Sequence, residues 1–285
     1  MSAGDSPESV YDAFADWYAA HALAGNWVQE VILRHLEALT GDVTNRVILD
    51  LACGEGIYTR ILRKRGANAT GVDLSGALLQ LARQRDPDHA DAYLCDDARY
   101  LSSLPAAAFD GVSCMMALMD IPDLEMVFRA VHRVVHPSGW FVVAITHPCF
   151  ETPHASWVEH ETGMVRTVNR YLDEGEWRSR NAEGVRSRAG AMHRTVSTYL
   201  NTANDTGWTL ERMIEPPNNK PDDPAPDIPR LMMIRFRRTD EEATVEAGAI
   251  EDLRKVLEEG EASGPAAPLD LDAFLAARHA GRPCP

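Results

Sequence analysis

From residue 46 onward the chain alternates short apolar runs with amphipathic ones, and this alternation constrains its fold more than any other feature. The runs at 47–52, 69–73, 92–95, 111–116 and 140–146 have strand length, and 58–64, 76–84 and 124–135 carry helical spacing between them. Parallel neighbours need a crossover rather than a hairpin, and the helices supply it, so the pattern implies a parallel sheet covered on both faces. The core is α/β. Residues 196–205 read as a later helix stopped by Gly207. After it, 208–214 and 231–237 form a strand pair joined by a Pro-rich loop, which points to an antiparallel edge.

Two helices precede the first strand. Ser6, with Pro7 and Glu8, starts one that carries Val10, Phe14, Trp17 and His21; Gly25 and Asn26 break it, and Trp27, Val31, Ile32, Leu36 and Leu39 mark a second ending at Gly41. Between 148 and 191 the pattern dissolves into polar residues with Trp157, Tyr171 and Trp177 among them, too long for a plain connection and suited to a lid or cap. Composition shifts near Thr239: eleven acidic and four basic residues follow, a local charge of −7, with helical patterns at 249–259 and 271–278. That stretch reads as a solvated tail or as a helix packing on a second copy of the chain, which leaves a homodimer open. The organisation expected is an N-terminal helical lid over 1–45, an α/β domain over 46–238 with a cap inserted at about 148–195, and a partly helical acidic tail over 239–285.

The 285 residues hold 28 Lys+Arg against 43 Asp+Glu, a formal charge of −15. Such a field repels phosphate backbones and anionic membranes, so neither nucleic acid nor a membrane is an expected partner. No apolar run approaches the ~18 residues of a membrane span, and the polar start lacks a secretory signal's pattern, so a cytoplasmic location is expected. Cys53, Cys95, Cys114, Cys149 and Cys284 are scattered without a C-x-x-C pair, which suggests small buried hydrophobes rather than a zinc or disulfide framework.

The most informative stretch is V-I-L-D-L-A-C-G-E-G, Val47 to Gly56, an apolar strand that runs into a G-x-G turn and a helix. Gly54 and Gly56 let the backbone turn tightly and approach a ligand that a Cβ would exclude. Asp73, ending the next strand, sits where a ribose would lie in a doubly wound sheet, and a carboxylate accepts from both its hydroxyls. The ligand is therefore a nucleoside derivative. A dinucleotide fingerprint wants a third glycine where Thr59 stands, and Asp50 and Glu55 disfavour a pyrophosphate while suiting an ammonium and a sulfonium. S-adenosylmethionine fits these residues better than NAD.

With D-L-A-C-G-E-G at Asp50 to Gly56, G-V-D-L-S at Gly71 to Ser75, D-D-A at Asp96 to Ala98, F-D-G-V at Phe109 to Val112 and the stretch Ile121 to Trp140, the chain resembles class I S-adenosylmethionine-dependent methyltransferases, in their small-molecule, natural-product branch, over about residues 10–238. The resemblance implies a Rossmann-like, doubly wound seven-stranded sheet whose last strand is antiparallel. It implies that Asp50, Ala52, Gly54 and Gly56 frame the methionine part of the cofactor and Asp73 holds the ribose. By the same resemblance Leu74 packs on the adenine, Asp97 and Ala98 bind it, and Met115 with Met116 passes the sulfonium. The leading helix covers the cofactor, with Tyr11 and Tyr18 on one face of it.

Methyl transfer is an in-line displacement, so the protein aligns nucleophile, methyl and sulfur, excludes water, and removes a proton where one must leave. No metal is expected: Asp120 and Asp123 lie near one another, but loop solvation and helix capping account for them. His147, at the end of the 140–146 run, reads as a base or as a loop-fixing side chain. His193, in a segment that looks like the H-R-x-x-x-x-Y of small-molecule methyltransferases, reads as a base or substrate anchor. Tyr18 joins them as a catalytic candidate. Arg194, Trp157 and Tyr171 are the expected substrate contacts, although Arg194 could make a helix-start salt bridge and the aromatics could staple a lid. The expected acceptor is a small aromatic or indole-like metabolite of secondary metabolism, methylated on O, N or C. The alternatives are a protein or RNA methyltransferase, or a protein that binds the cofactor without catalysis.

Overall fold

The computed structural model describes residues 9–239 apart from 24–26, 162, 219–222 and 224–225. The Ser6 helix start, the break at Gly25 and Asn26, the acidic tail with its two helical patterns, and Cys284 lie outside the described residues. The first described turn is a 3₁₀ helix, Val10–Phe14, whose N-cap is Ser9: its hydroxyl accepts from the Tyr11 amide. Helices α1 (Ala15–Leu23) and α2 (Trp27–Thr40) follow.

The alternating stretch folds as β1 (Val47–Leu51), α3 (Ile57–Lys64), β2 (Asn68–Asp73), α4 (Gly76–Arg85), β3 (Tyr93–Cys95), β4 (Phe109–Met115), α5 (Leu124–Val134) and β5 (Val135–Thr146). The inserted region holds β6 (Ser156–His160) paired with β7 (Gly163–Thr167), and β8 (Gly175–Trp177) paired with β9 (Ala191–His193), with α6 (Val185–Arg188) between the last two. Helix α7 (Val196–Asp205) then leads to β10 (Trp208–Ile214) and β11 (Leu231–Arg238). Seven strands form the main sheet in the order β10-β11-β5-β4-β1-β2-β3, with β1 to β5 parallel. The last strand is antiparallel to both neighbours, but it lies one place in from the edge: β10 takes the edge after the α7 crossover, and the loop returns β11 into the gap beside β5.

Strand periodicity divides the core between the two faces. Phe141, Val143 and Ile145 of β5, with Met232, Ile234 and Phe236 of β11, pack with α5 and α7, whereas Trp140, Val142 and Ala144, with Leu231 and Met233, pack with α2 and α3. Phe128 stacks edge-on against Phe141 and Phe236 at 5.4 and 5.5 Å, and Trp208 donates its indole N–H to the Phe128 carbonyl. Of the four described cysteines only Cys53 and Cys114 are buried. No described helix is long and apolar enough to cross a membrane.

Candidate active site

The carboxyl ends of β1, β2 and β4 open onto one cavity of about 310 Å³, at the lower end of the size range of ligand pockets. Its floor is built by the turn after β1. Ala52 and Gly54 both lie in the left-handed region, with φ of 52° and 55°, which folds the chain back so that the Gly54 amide donates to Asp73 Oδ2 at 2.8 Å. Asp73 Oδ1 accepts from the Ser75 amide, also at 2.8 Å. Burial raises the Asp73 carboxyl above its ordinary range, although these two amides pull the other way. Met116, another non-glycine with positive φ (60°), turns the chain at the end of β4 on the opposite wall; such strain costs about 1–3 kcal/mol and persists where the surroundings impose it.

Asp50 is fully enclosed and accepts from Thr59 Oγ1 at 2.6 Å and Ser113 Oγ at 3.1 Å; burial pushes its carboxyl up to about 6. The side chain that stands where a dinucleotide fingerprint has glycine thus has a task of its own. Tyr11, Ala52, Gly54, Leu74, Asp97, Ala98, Met115 and Tyr18 also line the cavity, with Asp50 and Asp73. Gly56 does not. A Cβ there would meet the Tyr93 ring at 2.7 Å, and its φ of 79° starts α3, so this glycine serves protein packing rather than a ligand's approach. Glu55 is also differently occupied from the expectation: it pairs with Arg60 at 2.9 Å and Arg85 at 2.6 Å, so its charge is answered within the protein. Asp97 is gripped by Arg99 (2.6 Å to Nη2). Burial raises its carboxyl, but the Arg99 bonds outweigh this and hold it below the usual range.

The N-terminal segment lines one wall of the cavity. Ser9, Val10, Tyr11 and Tyr18 face the cavity, and Asp12 fastens the segment to the start of α4 by accepting from Ser75 Oγ at 2.6 Å and the Ala77 amide at 3.0 Å. Burial, reinforced by Asp120 and Asp73, raises the Tyr18 hydroxyl above its ordinary range. Asp120 is not solvated in a loop. Its side chain is 12% exposed, accepts from Tyr11 Oη at 2.6 Å, and pairs with Arg186 of α6. Asp123 stands at the α5 N-cap with φ 53° but makes no side-chain cap bond.

The remaining candidates lie in or beside the inserted region. His147 is buried, accepts from the Cys149 amide at Nδ1 and reaches Glu215 from Nε2 at 2.6 Å, so both nitrogens have protein partners. His193 donates from Nε2 to the Tyr171 carbonyl at 2.8 Å, which leaves Nδ1 as the basic nitrogen of the neutral ring. It lines a second cavity with Met119, Trp177, Arg194 and Tyr199, of about 20 Å³, room for a water molecule. Among the described residues Arg194 makes no salt bridge at its helix start. Instead it donates to the Leu118 and Ile121 carbonyls at 3.2 and 2.8 Å, pinning the turn that carries Asp120. Tyr171 Oη accepts from the Val196 amide at 2.7 Å, and Trp157 lies between Arg166 (5.0 Å) and Arg230 (5.6 Å); neither lines a cavity described here.

Residues 49–143, which contain the glycine turn, Asp73, Asp97 and the end of β4, match the family model described as a methyltransferase domain. The chain shares the fold of class I S-adenosylmethionine-dependent methyltransferases and is similar to them in sequence. An S-adenosylmethionine-dependent methyltransferase from Mesorhizobium loti is 29% identical with a TM-score of 0.66, over 75% of this chain and all of that one. A solved structure from Listeria monocytogenes, 24% identical, shares the fold with a TM-score of 0.65 over 74% of this chain and all of that one. A ubiquinone biosynthesis O-methyltransferase of Bordetella avium is 32% identical over 136 residues, 47% of this chain and 52% of that protein, and one of Pseudomonas aeruginosa is 32% identical over 44% and 51%. The chain thus spans about half the length of these curated relatives. Residues 238–282 match a second family model, a bacterial antitoxin of the ParD toxin-antitoxin type II system and RHH.

Within this methyltransferase fold, Asp12, Asp120 and Arg186 are the site residues that pattern reading passes over. Their partners are 63, 109 and 66 positions away in the chain, and no local spacing announces such pairs.

Proposed function

We propose that the protein transfers a methyl group from S-adenosylmethionine to an oxygen of a small aromatic acceptor. The observation that carries this reading is the buried Asp73 carboxylate, anchored by Gly54 and Ser75 at the foot of a cleft whose other carboxylate, Asp50, is also enclosed. Two backbone bonds leave Asp73 lone pairs for a pair of vicinal hydroxyls, and an enclosed Asp50 suits an ammonium. Tyr11 and Tyr18, with ring centroids 5.1 Å apart and nearly perpendicular, give the cleft an aromatic wall that favours a sulfonium through cation–π attraction. When bound, the cofactor supplies an electrophilic methyl group on that sulfonium.

The chain's own residues then align and dehydrate. Asp73 and Asp50 would fix the two ends of the cofactor, the turn at Met116 would bound the reacting centre, and the N-terminal segment would exclude water. His193, the candidate base through Nδ1, borders the small second cavity and would reach the acceptor only once the cap rearranges. Transfer to oxygen rests on the name of the relatives, which are O-methyltransferases of ubiquinone biosynthesis; the charge of −15 disfavours nucleic acid as acceptor. The test is transfer of a tritiated methyl group from S-adenosylmethionine into a panel of phenols, arylamines and indoles. Label is expected in a phenol as a methyl ether, with turnover lowered more than cofactor affinity in His193→Ala. Tight binding of S-adenosylhomocysteine with no label in any small molecule would overturn the acceptor assignment.

A further inference from the structure

Two covers meet over the cleft, and one carboxylate holds both. Tyr11 belongs to the N-terminal segment that walls the cofactor cavity; Arg186 belongs to α6 in the inserted cap and lines no part of that cavity. Asp120, on the turn between them, accepts from Tyr11 Oη with one oxygen and pairs with Arg186 through the other. A second contact repeats the link: the Arg188 guanidinium, also on α6, lies 4.3 Å from the centroid of the Trp17 ring on α1. Arg194 holds the turn itself through the carbonyls on either side of Asp120, so the carboxylate is a fixed post rather than a free arm. The cavity beside His193 admits only a water, so an acceptor that is to meet His193 cannot enter there unless the cap moves. Moving α6 withdraws Arg186 and leaves Asp120 an uncompensated, mostly buried anion, a cost relieved by taking up a proton or turning toward water, and either change weakens what holds Tyr11 in place.

On the reading that this cleft binds S-adenosylmethionine, we propose that Asp120 is a positioning residue that couples the two covers, so that opening the cap to an acceptor or its product also loosens the N-terminal segment over the cofactor. Release of S-adenosylhomocysteine is then gated by a residue, Arg186, that does not wall its cavity. The Asp120 part of the link is one ion pair and one hydrogen bond, both partly shielded from water, where charge-assisted bonds are strong.

The experiment is stopped-flow displacement of S-adenosylhomocysteine from the full-length protein by excess S-adenosylmethionine, followed by tryptophan fluorescence, in wild type, Arg186→Gln, Tyr11→Phe and the double variant. Arg186→Gln is expected to speed dissociation about tenfold, Tyr11→Phe by a similar factor, and the double variant by little more than either, because both act through one carboxylate. Arg186→Lys, which keeps the charge, should restore most of the slow release, a rescue that a merely structural role would not show. Should Arg186→Gln fail to fold, Arg186→Lys with Tyr11→Phe and Asp120→Asn carries the test: Tyr11→Phe and Asp120→Asn should each speed release, and their effects should again fall short of adding. Dissociation within twofold of wild type in the folded Arg186 variant, or effects that multiply in the double variant, would overturn the coupling. A wild-type protein that binds no S-adenosylhomocysteine would instead overturn the cofactor reading on which it rests.

Discussion

Replacing Asp73 by Asn removes a charge while keeping size and shape, and the consequences divide between ligand and loop. In the wild type each carboxylate oxygen takes one backbone amide, from Gly54 and Ser75, both at 2.8 Å. That uses two of about four lone-pair positions and leaves the others for a ribose. An asparagine offers one oxygen to one amide and turns an NH₂ toward the other, so it loses one loop bond and every anionic acceptor. Hydrogen bonds to a charged group are worth about 1.5–3 kcal/mol each; two of them, partly replaced by the amide oxygen, give a loss of about 3 kcal/mol. In binding terms that is about a hundredfold rise in Kd for S-adenosylhomocysteine. The fold loses less, because taking a buried charge away offsets the lost bond: about 1 kcal/mol, or on the order of 2–4 °C in Tm. Titration calorimetry with S-adenosylhomocysteine, alongside thermal melting, separates the two. Asp73→Ala is the contrast, since it orphans both amides and should lower Tm further. A folded Asp73→Asn protein that binds within about threefold of wild type would refute the reasoning, because the ribose would then owe nothing to this carboxylate.

Other consequences follow from the same geometry. Asp50, pushed up to about 6 by burial, gains a proton as pH falls through that value and ceases to attract an ammonium. Cofactor affinity should therefore fall about tenfold between pH 7 and pH 5 in calorimetric titrations; Asp50→Asn should bind weakly across that range, and a wild-type profile that stays flat would remove Asp50 from the ligand's contacts. Gly56→Ala should destabilise by about 3 kcal/mol, from a left-handed alanine and a Cβ forced onto Tyr93, lowering Tm on the order of 5–10 °C. Thermal melting unchanged by that substitution would show that Tyr93 has room to yield.

Much of the scaffold is written in short-range pattern. The period-2 runs of β5 and β11 specify two buried faces, and the 3.6-residue spacing between strands specifies crossovers; both act over a few residues, so they can be read in order along the chain. The glycine turn is legible for the same reason: a strand that ends in A-C-G-E-G leaves the backbone few routes, and Asp73 stands 19 residues on, one crossover away. Which charges remain for a ligand is another matter. Glu55 and Asp50 look alike in the sequence, but folding brings Arg60 and Arg85 to the first and neutral donors to the second. His147 and His193 both stand beside chain turns, and only their partners in space, Glu215 and the Tyr171 carbonyl, separate a fixed ring from one that keeps a basic nitrogen. Tertiary structure also turned Asp120 from an ordinary loop acid into the post between two covers. A residue's neighbours in the chain govern its backbone, whereas the protonation and pairing of a buried side chain depend on groups from distant segments that meet only when the apolar faces close.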